Sequence, residues 1–322
     1  MLTDKYNRCF SYLRLSITDL CNFSCKYCLP TNMKLKTKSY LSLKEIGNLI
    51  FALSELGIQK VRITGGEPTV RKDFILIGKT ISCISGIKSL VFTTNGYKLN
   101  EIAESAFDAG FNGVNISLDT LDSSKFAVIT GKDYFLKVFN GIFLALNIGL
   151  NVKINVVLSK FFTFDDFSDF YFLLKYKNLT IRFIDQMETN FINKIGNKFI
   201  TSNYLLRFLK KNGWKCRNIK EHFDGPASVF IHEHFLGKIG IINPYSTDFC
   251  LNCNRIRVSA LGDLFLCLFG GKSYSIRHYL NSSKDKLNLQ NFLISKMKDK
   301  SYSHSLFDKN FGLIDSFSSI GG

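Results

Sequence analysis

The chain alternates between segments with helical spacing of apolar residues and short runs rich in valine, isoleucine and phenylalanine. The helical spacing covers Ser39–Leu56, Asp73–Ser85, Leu99–Ala109, Asp133–Ile148 and Asp165–Tyr176. The runs between them predict strands near Tyr12–Ile17, Lys60–Thr64, Ser89–Thr94, Gly113–Leu118, Val152–Leu158 and Thr180–Ile184. Strands that alternate with helices pair in parallel through right-handed crossovers. The pattern therefore predicts an α/β fold, either an open doubly wound sheet or a full or partial barrel.

Glycines separate several of these helices from the strands that follow. Gly57, Gly110 and Gly149 each stand directly after a helical segment and before a β-rich run. A glycine just past a helix supplies the left-handed conformation that ends it, so we expect helix ends at all three positions.

The alternation ends near residue 225. Beyond it come a β-like stretch, Ser228–Ile242, and a charged helical stretch, Lys284–Lys298. We therefore predict a first domain over residues 1–225 and a second over 226–322.

Composition narrows the class of protein. The chain has 322 residues of which 46% are hydrophobic, which is typical of a folded globule. It shows neither the apolar core of a secretory signal nor a run of about 18 apolar residues, so no membrane is expected. Nine cysteines clustered at metal-ligand spacing indicate a reducing cytoplasm. The net charge of +16 comes from widely spread lysines, and by itself it names no anionic ligand and no nucleic acid.

Cys21, Cys25 and Cys28 supply three thiols within eight residues after the first predicted strand. An electron carrier of the ferredoxin type uses four thiolates for each iron–sulfur cluster, and a structural zinc site also needs four ligands. Three thiolates can instead hold a [4Fe-4S] cluster and leave its fourth iron open to another molecule.

Cys250, Cys253 and Cys267 form a second triplet. Taken alone, this spacing favours zinc, and a fourth ligand from Cys216 or His278 would be needed. Taken with the first triplet, it favours a second cluster with its own open iron. The remaining cysteines, Cys9, Cys83 and Cys216, are expected to be inert thiols.

Polar motifs follow the predicted strands, where parallel folds place their ligands. CxxxCxxC follows the first strand and Gly65-Gly66-Glu67-Pro68 follows the second. Together they resemble the radical S-adenosylmethionine (SAM) superfamily. Further segments, in order along the chain, resemble the GTP 3′,8-cyclase family, also called molybdenum cofactor biosynthesis protein A. They are Arg14-Leu-Ser, Lys60-Val-Arg62-Ile-Thr, Thr93-Thr-Asn-Gly, Asn115-Ile-Ser-Leu-Asp119, Asn151-Val-Lys-Ile-Asn, Arg182-Phe-Ile, Cys253-Asn-Arg-Ile-Arg257 and the final Gly-Gly.

The resemblance implies a fold and a set of site residues. The fold would be an incomplete (β/α)6 radical SAM barrel closed by a C-terminal iron–sulfur region. The first triplet would bind a [4Fe-4S] cluster that chelates SAM, and the second triplet a [4Fe-4S] cluster that meets the guanine. The positions that match SAM contacts are Tyr27, Gly66, Ser117 and Met187. The positions that match GTP contacts are Arg14, Arg62, Thr93, Lys153, Arg255 and Arg257, with Lys60 and Arg182 as neighbours. The catalytic positions are Arg14, Gly321 and Gly322, because the family's Gly-Gly tail enters the active site.

The implied reaction converts GTP to 3′,8-cyclo-7,8-dihydro-GTP, the first step of molybdenum cofactor biosynthesis. The implied partners are GTP, an external one-electron donor, a downstream cyclic pyranopterin monophosphate synthase and a second copy in a homodimer. Asp185 stands where the family usually has a glutamate. Two alternatives remain open from the residues: a radical SAM maturase that modifies peptides and carries an auxiliary cluster, and an iron–sulfur protein that binds RNA.

Overall fold

The computed structural model describes residues 1–26, 28, 39–187, 200–217, 225–304 and 306. Its strands are β1 (Leu2–Thr3), β2 (Cys9–Phe10), β3 (Tyr12–Ser16), β4 (Lys60–Thr64), β5 (Ser89–Thr94), β6 (Gly113–Ser117), β7 (Asn151–Leu158), β8 (Thr180–Asp185), β9 (Lys215–Cys216), β10 (Ser228–Ile231), β11 (Lys238–Ile242), β12 (Arg255–Val258), β13 (Asp263–Phe265) and β14 (Ser273–Ser275). Its α-helices are α1 (Leu43–Glu55), α2 (Phe74–Ser82), α3 (Leu99–Asp108), α4 (Ser123–Thr130), α5 (Phe135–Asn147), α6 (Phe164–Tyr176), α7 (Ser202–Lys211) and α8 (Lys286–Met297). Short 3₁₀ turns lie at Pro68–Val70, Thr247–Phe249, Arg277–Leu280 and Ser283–Asp285.

One mixed sheet organises the molecule. The six predicted strands, β3 to β8, pair in parallel and in chain order, which confirms the α/β prediction. Two C-terminal strands extend the parallel part at its edges, with β12 beside β3 and β11 beside β8. Within the described residues the order of the strands does not close on itself, so the barrel is incomplete.

The connection from β11 to β12 links the two edges of this open barrel. β11 ends beside the carboxyl end of β8, where Ile242 pairs with Ile184. β12 begins beside the amino end of β3, where Arg255 pairs with Tyr12. Residues 243–254 therefore run from one edge to the other. They bring Cys250 and Cys253 to the opening, as the prediction of closure by the C-terminal region requires. The domain boundary at residue 225 stays a prediction, and the two parts share one sheet.

The two faces of the parallel strands differ. On the outer face, apolar side chains such as Leu13, Val61, Phe92, Ile116 and Ile154 are fully buried against the helices. Because neighbouring residues of a strand point to opposite faces, the alternate positions face the barrel interior. Many of these are polar or cationic, so the interior is a polar chamber and not a second apolar core.

Several helix ends follow from local chemistry. Ser42 and Glu45 form a reciprocal capping box at the start of α1, which delays the helix to Leu43, whereas the sequence predicted a start at Ser39. Gly57, Gly110 and Gly149 have φ values of 94°, 91° and 93°, as expected for left-handed residues that end helices. In the described part of the chain no helix is long and apolar enough to cross a membrane.

The hydrophobic periodicity of the sequence did not predict some of the helices and strands. α4 is a short helix that Asp122 caps at its start and Gly131 ends at φ 71°. α7 and the hairpin strands β13 and β14 were also not predicted. Segments this short carry too few apolar positions to establish a period.

Candidate active site

The first cysteine loop leaves the carboxyl end of β3. Ser24 N donates to the carbonyl of Thr130 at 3.2 Å, and Lys26 N donates to that of Ile129 at 3.2 Å, so the end of α4 anchors the loop. Phe23, directly before the first anchor, is buried and packs edge-on against Phe126 of α4. The helix that sequence patterns missed is therefore part of the support for the first triplet.

Glu67 organises the same edge from within the Gly-Gly-Glu-Pro motif. Its buried carboxylate accepts hydrogen bonds from Thr69 Oγ1 at 2.6 Å, Thr94 Oγ1 at 2.9 Å and Asn95 N at 2.6 Å. Burial raises the pKa of Glu67, and these donors oppose that effect. Asn95 in turn donates through Nδ2 to Asn22 Oδ1 at 2.8 Å, next to Cys21. Glu67 thus connects the ends of β4 and β5 to the cysteine loop.

Gly65 and Gly66 allow the cysteine loop to approach. A Cβ on Gly66 would lie 2.3 Å from the carbonyl oxygen of Leu20, and one on Gly65 would lie 2.4 Å from that of Thr18. Both contacts are with backbone, which cannot turn aside as a flexible side chain can. The motif therefore needs glycine for steric reasons at the point where the first triplet begins.

Cys21, Cys25 and Cys28 are half-buried and lie close enough to influence one another. Burial, followed by the negative charges of Cys21 and Asp119, raises the pKa of the Cys28 thiol to about 11. The pKa of Cys25 is raised in the same direction by burial and by Cys28. The three thiols therefore disfavour ionisation together, and a bound iron centre would supply positive charge that stabilises their thiolates.

The second triplet lies in a cavity of about 120 Å³ at the open side of the barrel. Cys250, Cys253 and Cys267 line it together with Met187 and His304. Among the described residues, no three metal-ligating side chains surround the position of a single ion. The cavity also receives Arg14, Arg62, Arg182, Arg255 and Arg257.

The electrostatics of the second triplet are opposite to those of the first. Although burial works against ionisation, Arg255, Lys300 and Arg257 lower the pKa of the Cys253 thiol to about 6. The pKa of Cys250 is also lowered, against burial, by its contact with His304. Thiolates are the form of cysteine that binds metal. The positive charges near Cys253 and Cys250 therefore favour the form that can bind iron.

Five cations and Tyr12 form two rows across three neighbouring strands. The four arginines of these rows line the cavity, and Lys60 lines a neighbouring cavity. Arg257 pairs with Arg14 and Arg14 pairs with Arg62, one strand apart each time. One step toward the amino ends, Arg255 pairs with Tyr12 and Tyr12 pairs with Lys60. The shared parity of Lys60 with Arg62, and of Arg255 with Arg257, follows from the alternation along each strand.

No described aspartate or glutamate lines the cavity into which the arginines of these rows project. Burial and the neighbouring Arg14 and Arg255 lower the pKa of Arg257 to about 9, and burial with similar repulsion lowers that of Arg62 to about 9. The buried Nε atoms of both residues and the hydroxyl of Thr93 have no hydrogen-bond partner within the described residues. Buried polar atoms are nearly always paired in native proteins. The chamber is therefore built for an anion with several oxygen atoms.

The opposite wall carries the remaining polar positions. Thr93, Asn115 and Lys153 pair in sequence across β5, β6 and β7. Asn115 Oδ1 accepts from Arg182 Nη1 at 2.9 Å. At the amino ends of the strands lie two further cavities, of about 610 and 270 Å³, and Lys153 lines both. No described aspartate or glutamate lines either of them.

The second triplet, Met187 and four candidate arginines line one cavity. Ser117 is exposed at the carboxyl end of β6, and Met187 lies beside the second triplet. Tyr27, Gly321 and Gly322 lie outside the described residues. Sequence reasoning missed Tyr12 and Asn155, which line the cavity. Their even spacing from Arg14 and Lys153 on the same strands could have revealed them.

Two family models match the chain. The Radical SAM superfamily model covers residues 15–174, and the model for Molybdenum Cofactor Synthesis C covers residues 179–306. The two matches meet between β7 and β8, and together they include both cysteine triplets.

The chain is similar over its full length to proteins named GTP 3′,8-cyclase. The GTP 3′,8-cyclase of Psychromonas ingrahamii is 44% identical over 100% of this chain and 95% of its own length. That of Mannheimia succiniciproducens is 42% identical over 100% and 96%. Among solved structures, Streptococcus suis SuiB bound to S-adenosylmethionine matches with a TM-score of 0.64 and 15% identity, over 85% of this chain and 65% of that one. The latter likeness shows the radical SAM fold alone, whereas the full-length sequence identity shows that the chain belongs to the GTP 3′,8-cyclase family of radical SAM enzymes.

Proposed function

We propose that the protein converts GTP to 3′,8-cyclo-7,8-dihydro-GTP, the first step of molybdenum cofactor biosynthesis, with two [4Fe-4S] clusters and SAM. The main support for this proposal is that cysteines and cations share one cavity. One chamber is lined by the second cysteine triplet and by four arginines of the two rows, and no described carboxylate lines it.

The first centre would lie on Cys21, Cys25 and Cys28, with SAM against Gly66, Ser117, Met187 and Tyr27. When bound, the cluster would supply the one electron needed for cleavage of SAM, so that the adenosyl group can take a hydrogen atom from the ribose. Residues of this chain position the first centre by close packing and by hydrogen bonding. Gly66 keeps the loop close to β4, and Glu67 fixes the loop through Asn95.

GTP would lie across the chamber with its triphosphate on the cations. A triphosphate carries about four negative charges, and arginine's planar fork suits phosphate oxygens. Arg14, Arg62, Arg255 and Arg257 offer this charge from neighbouring strands, while Thr93 and Lys153 face them from β5 and β7. The purine would then lie toward Cys250, Cys253 and Cys267.

These residues contribute binding, orientation and exclusion of other hydrogen donors. Arg14 occupies the centre of its row, between Arg257 and Arg62, and we assign it to holding the ribose end of GTP near SAM. We assign Gly321 and Gly322 to the same cleft, where backbone and the terminal carboxylate would meet cations.

The partners are proposed on chemistry. The reaction needs an external one-electron donor to reduce the clusters, and its product needs a downstream cyclic pyranopterin monophosphate synthase. A homodimer and a cytoplasmic location remain predictions from the sequence. We do not retain the alternatives of a peptide-modifying maturase or an RNA-binding protein, because the full-length relatives are named as cyclases.

One experiment tests the proposal. The reconstituted, reduced protein is incubated without oxygen with SAM and GTP, and the nucleotide product is identified by mass spectrometry and NMR. We expect 5′-deoxyadenosine and the cyclised nucleotide in equal amounts. SAM cleavage that proceeds equally without GTP, with no cyclised nucleotide, would contradict it.

A further inference from the structure

Lys300 is a buried cation behind the second cysteine triplet. It follows α8, only 3% of the residue is exposed, and its ammonium donates to the carbonyl of Leu266. The same ammonium lies 5.2 Å from the centre of the Phe10 ring. Within the described residues no carboxylate forms an ion pair with it.

A buried ammonium with only a carbonyl and an aromatic face beside it is costly unless a negative charge lies nearby. Cysteine thiolates of the second triplet can supply such a charge. The ammonium of Lys300 reaches the second triplet through a contact with its backbone. The carbonyl that it binds belongs to Leu266, the residue directly before Cys267. Lys300 therefore holds a buried positive charge against the backbone directly beside one cysteine of the second triplet.

Lys300 differs from the other cations near Cys253. Arg255 and Arg257 line the chamber, so their charge is available to the triphosphate. Lys300 is not among the residues that line this cavity. Its charge acts on the thiolates from the protein side and does not depend on whether the substrate is bound.

We propose that Lys300 is the buried counter-charge of the second [4Fe-4S] cluster and that it makes this cluster easier to reduce. The assignment rests on the proposed function, in which Cys250, Cys253 and Cys267 hold that cluster. Reduction adds an electron to a centre that already carries thiolate charge, and a fixed cation nearby stabilises the reduced form more than the oxidised form. Net charge and hydrogen bonding around the sulfurs are among the factors that set such potentials.

The test is a redox titration of the full-length, reconstituted protein, followed by electron paramagnetic resonance. Lys300→Met removes the charge and keeps the length of the side chain, while Lys300→Arg keeps the charge. Lys298→Met removes the same charge at an exposed position two residues away. We expect Lys300→Met to shift one cluster to a more negative potential and to leave the other unchanged. Lys300→Arg should stay closer to the unsubstituted protein, and Lys298→Met should change neither cluster.

Other results of the redox titration would contradict the proposed role of Lys300. Two results would overturn the proposal: unchanged reduction potentials in Lys300→Met, or a shift in Lys300→Arg as large as that in Lys300→Met. Either result would mean that Lys300 contributes only to packing. If Lys300→Met loses half of its iron, retention of that iron in Lys300→Arg supports a need for charge, and its loss in both variants refutes it. Cys253→Ala separates this from the proposed function: full iron content in that variant would show that the second triplet is not the ligand set, whatever Lys300 does.

Discussion

Arg8 binds the backbone of Cys250 although 242 residues separate them. Its Nη1 donates to the carbonyl of Cys250 at 2.9 Å and to that of Tyr302 at 2.7 Å, and Nη2 donates to that of Ser301 at 2.7 Å. Asp4 holds the guanidinium from the other side through a buried ion pair of 2.7 Å. One arginine therefore joins the N-terminal segment, the loop of the second triplet and the chain that follows α8.

We expect Arg8→Met to destabilise the protein by about 3–5 kcal/mol, because Asp4 is then left as a buried, unpaired charge. The loss should be measured by denaturant unfolding, with iron content recorded in parallel. Arg277→Met is the matched control, since Arg277 also joins a carboxylate, that of Glu45, to loop carbonyls but is partly exposed. Its effect should be about 1 kcal/mol. An equal effect of the two substitutions would mean that burial at Arg8 is unimportant.

Arg257→Met should have opposite effects on GTP and on stability. Losing a charged hydrogen-bond donor should weaken GTP binding by about 1.5–3 kcal/mol, which is roughly 10- to 150-fold. The same change should leave the cluster-free, GTP-free protein equally stable or more stable, because burial and repulsion from Arg14 already lower the pKa of Arg257. Calorimetric GTP titration and thermal unfolding measure the two effects. Weakened GTP binding together with a clear loss of stability would assign Arg257 to folding.

The two triplets should behave as separate centres. Reconstitution without oxygen should give about eight irons per chain, and Cys21→Ala and Cys267→Ala should each retain about four. Cys21→Ala should abolish SAM cleavage, whereas Cys267→Ala should still cleave SAM and fail to cyclise GTP. Iron analysis with product analysis separates the two variants. Zinc in the second triplet, with about four irons in the unsubstituted protein, would contradict the assignment.

Gly66→Ala should displace the first cysteine loop. The added Cβ would lie 2.3 Å from the carbonyl oxygen and 2.6 Å from the carbonyl carbon of Leu20, so the backbone must move. We expect SAM binding and cleavage to fall at least tenfold while the iron of the second triplet remains. Gly271→Ala is the control, because a Cβ there meets nothing within 4 Å. Normal SAM cleavage by Gly66→Ala would show that the loop can give way without harm.

Deletion of Gly321 and Gly322 tests the proposed role of the tail. We expect both clusters and SAM binding to persist while cyclisation of GTP is suppressed, because only these two residues are removed. Adding a synthetic peptide of the last residues should restore part of the activity. The comparison is with a chain in which both glycines are replaced by alanine. Full product formation by the truncated enzyme would show that the two glycines have no role in catalysis.

The sequence by itself determined the six central strands, the glycines that end their helices and the two cysteine triplets. These features are local: β-rich runs, left-handed glycines and cysteine spacing need only a few neighbouring residues to be recognised. The parity of Lys60 with Arg62 was also available, because side chains alternate along any strand. The motifs sufficed to identify the family, which the full-length relatives then confirmed.

Only the tertiary structure decided which distant elements meet. β11 and β12 pair with opposite edges of the open barrel. The pairing of β12 with β3 aligns Arg257 with Arg14 and Arg62 on three strands. The roles of Arg8 and Lys300 depend on contacts between segments far apart in the chain, and each residue alone looks like an ordinary surface cation. Strand register and burial arise from packing across the whole chain, so neither the double row of cations nor the buried charge of Lys300 could be read from local pattern.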